Sequence, residues 1–193
     1  MTSFAPTPSQ AWHMIGGCWM IFCVFWLMAA ISVKKATERW SAGTGFFYII
    51  TSVVTYNLLI RSDRLGRGFL GHPGPGSFLL AVILMVIGLA ITLWARVVLG
   101  RNWSGSVTHK ENHELVETGP YRFVRHPIYT GLLLMTVGTA MARGTWDAVL
   151  AIFLFTAVHI WKLRQEEALM TRYFPEAYPA YRARTKALLP LLY

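Results

Sequence analysis

His126, Pro127 and Tyr129 stand close to Tyr121 and Arg125 in the stretch His113–Gly131, and Lys162, Arg164, Glu166 and Glu167 follow further along the chain. Carboxylates can hold an amino group or take up a proton. An imidazole can donate or accept at either ring nitrogen, a phenol can stack and hydrogen-bond, and Lys or Arg can orient an anion. His113–Gly131 is the longest polar, turn-rich segment between the hydrophobic runs, and it passes through Pro127 directly into another of them. These groups at these positions form the inventory of a site that binds and orients a small molecule, with one half on the loop and the other on a later helix.

The elements that must position them are apolar. The chain has 193 residues, is 54% hydrophobic and has a mean hydropathy of +0.43. Its apolar residues fall in blocks, which excludes an ordinary soluble domain and points to an integral membrane protein. Five transmembrane helices are expected, at about 11–33, 43–60, 77–99, 128–142 and 145–161. Only Arg143 and Gly144 separate the last two, which predicts a tight helical hairpin. The fifth helix is expected to continue beyond its apolar block through Lys162, Arg164, Glu166 and Glu167. The segment GHPGPG at Gly71–Gly76 forbids helix and reads as turns, lacking the strand and lysine of a phosphate loop. From Phe174 the chain is amphipathic and aromatic, with prolines at 175, 179 and 190, and is expected to lie on the surface. No repeat or linker divides the chain, so one all-α membrane domain covers residues 1–193.

The formal charge of +9 does not indicate nucleic acid, because the basic residues flank apolar spans instead of forming a basic helix or a zinc-finger spacing. With five spans, one side carries Lys34, Lys35, Arg39, Arg101, Lys110, Arg122, Arg125, Lys162, Arg164, Arg172, Arg182, Arg184 and Lys186, and the other carries Arg61, Arg64, Arg67 and Arg143. This asymmetry places the long loop and the C-terminal tail together on the cytoplasmic face. Arg96 falls within the last turn of the third span, where snorkelling to the interface is the expected behaviour and an inward orientation toward an anion the alternative. Cys18 and Cys23 both fall in the first span and read as buried thiols, with no disulfide framework and no metal-type pair.

The run LVETGPYRFVRHPIYTG, followed after the hairpin by Glu166–Glu167 and then by FPEAYPAYRARTKALLP, resembles the isoprenylcysteine carboxyl methyltransferase family and its prokaryotic relatives, within a wider group that includes phospholipid N-methyltransferases. The likeness covers residues 100–190 and hardly touches the first two spans. It implies methyl transfer from S-adenosylmethionine, with S-adenosylhomocysteine as product, to a lipophilic or prenylated-cysteine substrate in the bilayer. By the same likeness the cofactor pocket comprises His113, Glu114, Leu115, Val116, Tyr121, His126, Pro127, Ile128, Tyr129 and Glu166. The groups that would serve the acceptor or the proton are Lys162, Arg164, Glu166, Glu167 and Arg125, with Arg122 a further candidate for orienting a carboxylate. No metal is implied.

The residue types suit that assignment. The cofactor needs an apolar slot for adenine, partners for ribose, an anion for its amino group and donors for its carboxylate. Glu166 and Glu167 project about 100° apart on a helix, so one of them is expected to face the site. Glu166 is the favoured anion, because His159, Lys162 and Glu166 share a face. Eukaryotic relatives tend to carry arginine at Lys162, a fork where this chain has a point charge. A carboxylate acceptor would need positioning and no base. An amine acceptor, as in an ethanolamine N-methyltransferase, would need His126, Glu166 or Glu167 to remove its proton. A non-catalytic membrane protein and a sterol-reductase-like enzyme are the readings from other classes.

Overall fold

In a computed structural model the described residues are 5–31, 42–61, 63–66, 68, 72–100, 103 and 115–189. They form six α-helices: α1 Pro8–Ala30, α2 Ala42–Tyr56, α3 Pro75–Leu99, α4 Pro127–Arg143, α5 Trp146–Tyr173 and α6 Ala177–Arg184. A π-helical turn Asn57–Arg61 prolongs α2, and a 3-10 turn Gly119–Arg122 precedes α4. Three helices are long and apolar enough to cross a membrane: Pro8–Ala29, Pro75–Leu99 and Trp146–Tyr173, while Gly45–Arg61 is a shorter apolar helix. Large hydrophobic side chains stand outward on them, including Leu27, Phe46, Val97 and Phe153, each more than half exposed. Such a belt is costly in water and ordinary against lipid, so the chain is an integral membrane protein.

Local signals account for the helix ends. α1 begins earlier than the hydropathy alone indicates, because the Thr7 hydroxyl accepts from Gln10 N–H, the Gln10 side chain accepts from Thr7 N–H, and Pro8 occupies the first turn. Gly144, at φ 63° and ψ 29°, closes α4 in the left-handed conformation that an L side chain resists. Thr145 then caps α5 by accepting from Ala148 N–H, so the connection is Gly144–Thr145 and Arg143 remains in helix. Within the apolar helices the hydroxyls of Thr55, Thr136, Thr139 and Thr156 each donate to the carbonyl four residues back, which satisfies these four in a medium without water.

The core is the α3–α4 pair. A Cβ at Gly131 would lie 2.1 Å from Thr92 Oγ1 and 2.5 Å from the Gly88 carbonyl oxygen, and one at Gly88 would lie 2.5 Å from the Gly131 carbonyl oxygen. The two backbones therefore touch, as small residues allow between membrane helices. α1 packs on this pair through Ala11, Ile15 and Cys18 against Phe78, Ala81 and Met85, and Trp19 Nε1 donates to Thr139 Oγ1 at 3.1 Å. On the other flank α2 and its π turn meet α5, with Leu59 against Ala148 and Ala151.

Contacts at the two ends show how the helices alternate. At one end the Arg96 guanidinium donates to Ala29 and Gly100 carbonyls, Tyr48 meets His159, and Tyr129 meets Glu166, so the C-termini of α1, α3 and α5 lie with the N-termini of α2 and α4. At the other end Leu65 N–H donates to the buried Asp147 carboxylate, Gly68 N–H to Gly144 O, and Trp146 N–H to Gly66 O.

Three expectations are corrected. Arg96 does not snorkel: it is 3% exposed, bridges the ends of two helices and lies 4.7 Å from the Trp103 ring, because the last carbonyls of α1 and α3 need a donor. Cys23 is exposed while Cys18 is buried, since five positions of helix turn it to the outer face. The C-terminal segment does not lie on the surface throughout. Arg125 N–H donates to Lys186 O and His126 N–H to Ala187 O, which draws Ala187 and Leu188 inside, while Tyr178 and Tyr181 are the buried face of α6.

Gly131→Ala should destabilise the protein by about 1–3 kcal/mol, because the added methyl meets backbone that cannot yield. Gly16→Ala on α1, where nothing lies within 4 Å, should leave stability unchanged or slightly raised. Thermal denaturation of both variants in detergent separates the two outcomes.

Candidate active site

The 3-10 turn Gly119–Arg122 delivers Tyr121 inward, and Pro127 at the first position of α4 leaves His126 at its N-cap with φ −125° and ψ 59°. The imidazole makes no cap hydrogen bond and points at α5 instead. There His126 Nδ1 lies 3.6 Å from Glu166 Oε2, and His126 Nε2 lies 3.3 Å from Glu167 Oε1. Helical geometry was expected to turn one glutamate away. The ring resolves this, since its two nitrogens reach in different directions and each meets one carboxylate. Glu167 is the more buried of the two, with 8% side-chain exposure against 24% for Glu166.

Each carboxylate has further partners. Tyr129 Oη donates to Glu166 Oε1 at 2.6 Å, and the Tyr129 ring lies parallel to the His126 ring with centroids 5.6 Å apart. Glu167 accepts from Arg125 Nε at 2.8 Å and has Arg182 Nε at 3.6 Å. Arg125 also donates from Nη1 to the carbonyls of Thr185 and Arg182. Its guanidinium thus ties Glu167 to the tail. The tail is held again by Thr130 Oγ1 donating to Leu188 O at 2.6 Å and by Tyr181 Oη donating to Tyr121 O at 2.6 Å.

Lys162, one turn before Glu166, is 5% exposed, and its ammonium lies 4.6 Å from the Tyr48 ring centroid and 5.5 Å from that of Tyr129. Arg164 is exposed and lines an open cleft of about 360 Å³ with Arg125, Glu167, Arg182 and Lys186. Arg122 is exposed over the Phe123 ring, away from the carboxylates. Ile128 and Tyr121 are buried with Ala95, and Val116 packs against them, while Leu115 is half-buried. His113 and Glu114 lie outside the described residues.

Tyr121 supplies the fit test for a bound small molecule. Its hydroxyl is buried and has no hydrogen-bond partner among the described residues, and burial pushes its phenol well above the usual value. A buried hydroxyl left unmet is costly, and a ligand oxygen or nitrogen would satisfy it. With an apolar wall at Ala95, Val116 and Ile128 and a partly exposed carboxylate at Glu166, the residues present fit an adenosyl group that carries an amino acid.

Several contributors were not foreseen. Tyr48 comes from α2, a helix with no chemical motif. Thr130, Arg182 and Thr185 act through hydrogen bonds to carbonyls and through an ion pair, which no spacing rule reveals. A clue was present for Thr130, one residue past Tyr129 on a helix that starts at Pro127.

Residues 77–177 match the phospholipid methyltransferase family. The chain is 33% identical over 119 residues to protein-S-isoprenylcysteine O-methyltransferase of Schizosaccharomyces pombe, covering 58% of this chain and 49% of that protein. It is 29% identical over 150 residues to the nickel-cobalt-cadmium resistance protein NccN of Alcaligenes xylosoxydans xylosoxydans, covering 77% of this chain and 64% of the relative. In fold it is similar to a eukaryotic intramembrane Ras methyltransferase, isoprenylcysteine carboxyl methyltransferase, with a TM-score of 0.53 and 20% identity over 76% of this chain and 53% of the other. The chain therefore spans between about half and under two thirds of the length of these proteins.

Arg125→Met should cost on the order of 2–3 kcal/mol, because it strips a nearly buried carboxylate of its closest cation and frees the tail. Trypsin should then cut after the exposed Lys186 faster than in the unaltered protein. Arg125→Lys should recover only part of the protection, since an ammonium cannot span Glu167 and the Thr185 carbonyl as a guanidinium does.

Proposed function

Because the chain belongs to the phospholipid methyltransferase family, we propose that it transfers a methyl group from S-adenosylmethionine to the carboxylate of a lipidic, isoprenylcysteine-like acceptor. The observation that carries this reading is the set formed by Glu166, Tyr129, His126 and the unmet Tyr121 hydroxyl at one end of the helices, with the buried Lys162 beside it. When bound, S-adenosylmethionine supplies an electrophilic methyl on a sulfonium, and transfer makes an oxygen–carbon bond as the sulfur–carbon bond breaks.

The chain's own residues bind and orient. Glu166 is the anion for the cofactor's amino group, the Tyr121 hydroxyl serves a polar edge of its adenosyl part, and Val116 and Ile128 wall the base. His126 keeps both glutamates in place. Leu115, half-buried, borders the pocket, and Pro127 fixes the start of α4 beneath it. Lys162 draws in the acceptor carboxylate, which is ionised at neutral pH and needs no base. Arg164 attracts anions to the mouth, and Arg125 with Glu167 positions the tail. Holding acceptor and methyl in line can contribute roughly 7–11 kcal/mol toward the barrier.

The buried cation favours a carboxylate over an ammonium, because two positive groups in one apolar enclosure repel. Methylation of a phospholipid amine is the second reading, carried by the family match, and it would require His126 or a glutamate as base. The helices cross the bilayer five times with the site at the cytoplasmic face. Supporting this are the alternation of the helix ends and the concentration of basic residues on the site's side.

Tritiated S-adenosylmethionine offered to the purified protein with an S-prenylated cysteine analogue and phosphatidylethanolamine together should label the cysteine analogue. Label on the phosphatidylethanolamine would favour the second reading, and label on neither would overturn both. Glu166→Ala should weaken cofactor binding measured by calorimetry by about tenfold or more, the worth of a charged hydrogen bond; unchanged affinity would sink the assigned pocket.

A further inference from the structure

The buried ammonium of Lys162 faces aromatic rings from two other helices, and one of these helices lies outside the part of the chain that matches the family. Tyr48, on α2, presents its ring to Lys162 at 4.6 Å, and Tyr129, on α4, presents its own at 5.5 Å. Tyr48 is fixed by a second contact: its hydroxyl lies 3.1 Å from His159 Nε2. His159 Nδ1 lies 2.8 Å from the Phe155 carbonyl oxygen, which can only accept. Nδ1 therefore carries the proton, Nε2 is the acceptor, and the Tyr48 hydroxyl is the donor. His159 is itself pinned, stacked on Phe155 at 3.9 Å and set edge-to-face on Tyr129 at 5.0 Å. With its hydroxyl committed to His159, Tyr48 turns the face of its ring, where the negative quadrupole lies, toward the cation.

The neighbours of this group face lipid. Phe47, half exposed, sits edge-to-face on Trp161 at 5.6 Å, adjacent in sequence to Tyr48 and Lys162 respectively. The seam between α2 and α5 thus carries an aromatic pair one residue along each helix from the two groups of the cation contact. That arrangement suits an amphiphile with one anionic head and one apolar chain.

We propose that Tyr48 is a positioning residue for the methyl acceptor: it holds Lys162 at the inner end of the α2–α5 seam, and Lys162 there receives the carboxylate of an amphiphile whose chain lies along Phe47 and Trp161. This rests on the methyltransferase reading and extends it by assigning acceptor choice to α2. Residues 42–61 lie outside the matched segment 77–177, so α2 is free to differ where the cofactor half is shared.

The test uses the full chain in lipid nanodiscs, with an S-farnesylated cysteine carboxylate as acceptor and its uncharged carboxamide as competitive inhibitor. Tyr48→Leu removes the quadrupole and should raise the acceptor KM about tenfold, the scale of a desolvated cation–π contact. The inhibition constant of the carboxamide and the S-adenosylmethionine Kd should stay within about twofold, because neither involves the Lys162 charge. Tyr48→Trp keeps an aromatic face and should hold KM near that of the unaltered protein, and Tyr48→Phe should fall between Trp and Leu because it keeps the ring and loses the link to His159. A KM unmoved by Tyr48→Leu would overturn the proposal. So would a parallel loss of carboxylate, carboxamide and cofactor binding, which marks a packing role. If the unaltered protein binds no S-adenosylmethionine, the methyltransferase reading itself fails, and that shows before any variant is made.

Discussion

Everything at the site depends on how closely α3 and α4 approach. Gly88 and Gly131 face each other with carbonyl oxygens where a Cβ would be, and Gly138 repeats the contact lower down against the Ala81 carbonyl. In a lipid environment apolar side chains gain little by leaving solvent, so helices are held by close van der Waals contact and by satisfied polar groups. This contact brings Ala95 of α3 against Tyr121 and Ile128, the two residues on either side of the RHP turn. A wider separation would leave the Tyr121 ring without a wall and let the start of α4 drift from α5. The glycine pair thus fixes the start of α4, from which His126 and Tyr129 reach the carboxylates.

Charge is the second constraint. Glu166, Glu167, Lys162, Arg125 and His126 are packed together at the end of an apolar bundle, where each would be unstable alone. They are tolerated because nearly every polar atom has an opposite: Glu167 has Arg125, Arg182 and His126, Glu166 has Tyr129 and His126, and Lys162 has two aromatic faces. The tail is part of this balance, since Thr185 and Arg182 supply carbonyls to Arg125. Removing the tail would therefore disturb Glu167 twice, directly through the loss of Arg182 and indirectly by freeing Arg125. Among the described side chains of this group the Tyr121 hydroxyl is left over, and on the proposed reading a bound cofactor would satisfy it.

On the proposed reading the location of the site follows from the two substrates. A charged, water-soluble methyl donor must enter from the aqueous side, and a prenyl or acyl chain must enter from the bilayer. On that reading the donor meets the His126–Glu166 half and the acceptor meets the Tyr48–Lys162 half, beside which Phe47 and Trp161 stand on α2 and α5. Tyr129 stands between them, hydrogen-bonded to Glu166 and facing Lys162. On that reading two demands that conflict in any single medium meet at one phenol ring.

Much of this was legible in the residues themselves. The apolar blocks, the turn at Gly144, the helix start at Pro127 and the continuation of α5 into its charged end are local signals, set by hydropathy and by backbone restrictions within a few positions. RHPIY and the glutamate pair stood out for the same reason, as motifs contained in short stretches, and the structure brings them into one cluster. What required the folded chain were relations between residues far apart: Tyr48 beside His159, Arg96 across to Ala29, Arg125 into the tail, and both glutamates on one imidazole. Helical periodicity indicates which face a side chain takes, and from it one glutamate had to turn away. Only the position of a second element decides what stands opposite each face, and that position is set by backbone contacts such as Gly88 on Gly131, whose partners are separated by dozens of residues and carry no side-chain signal at all.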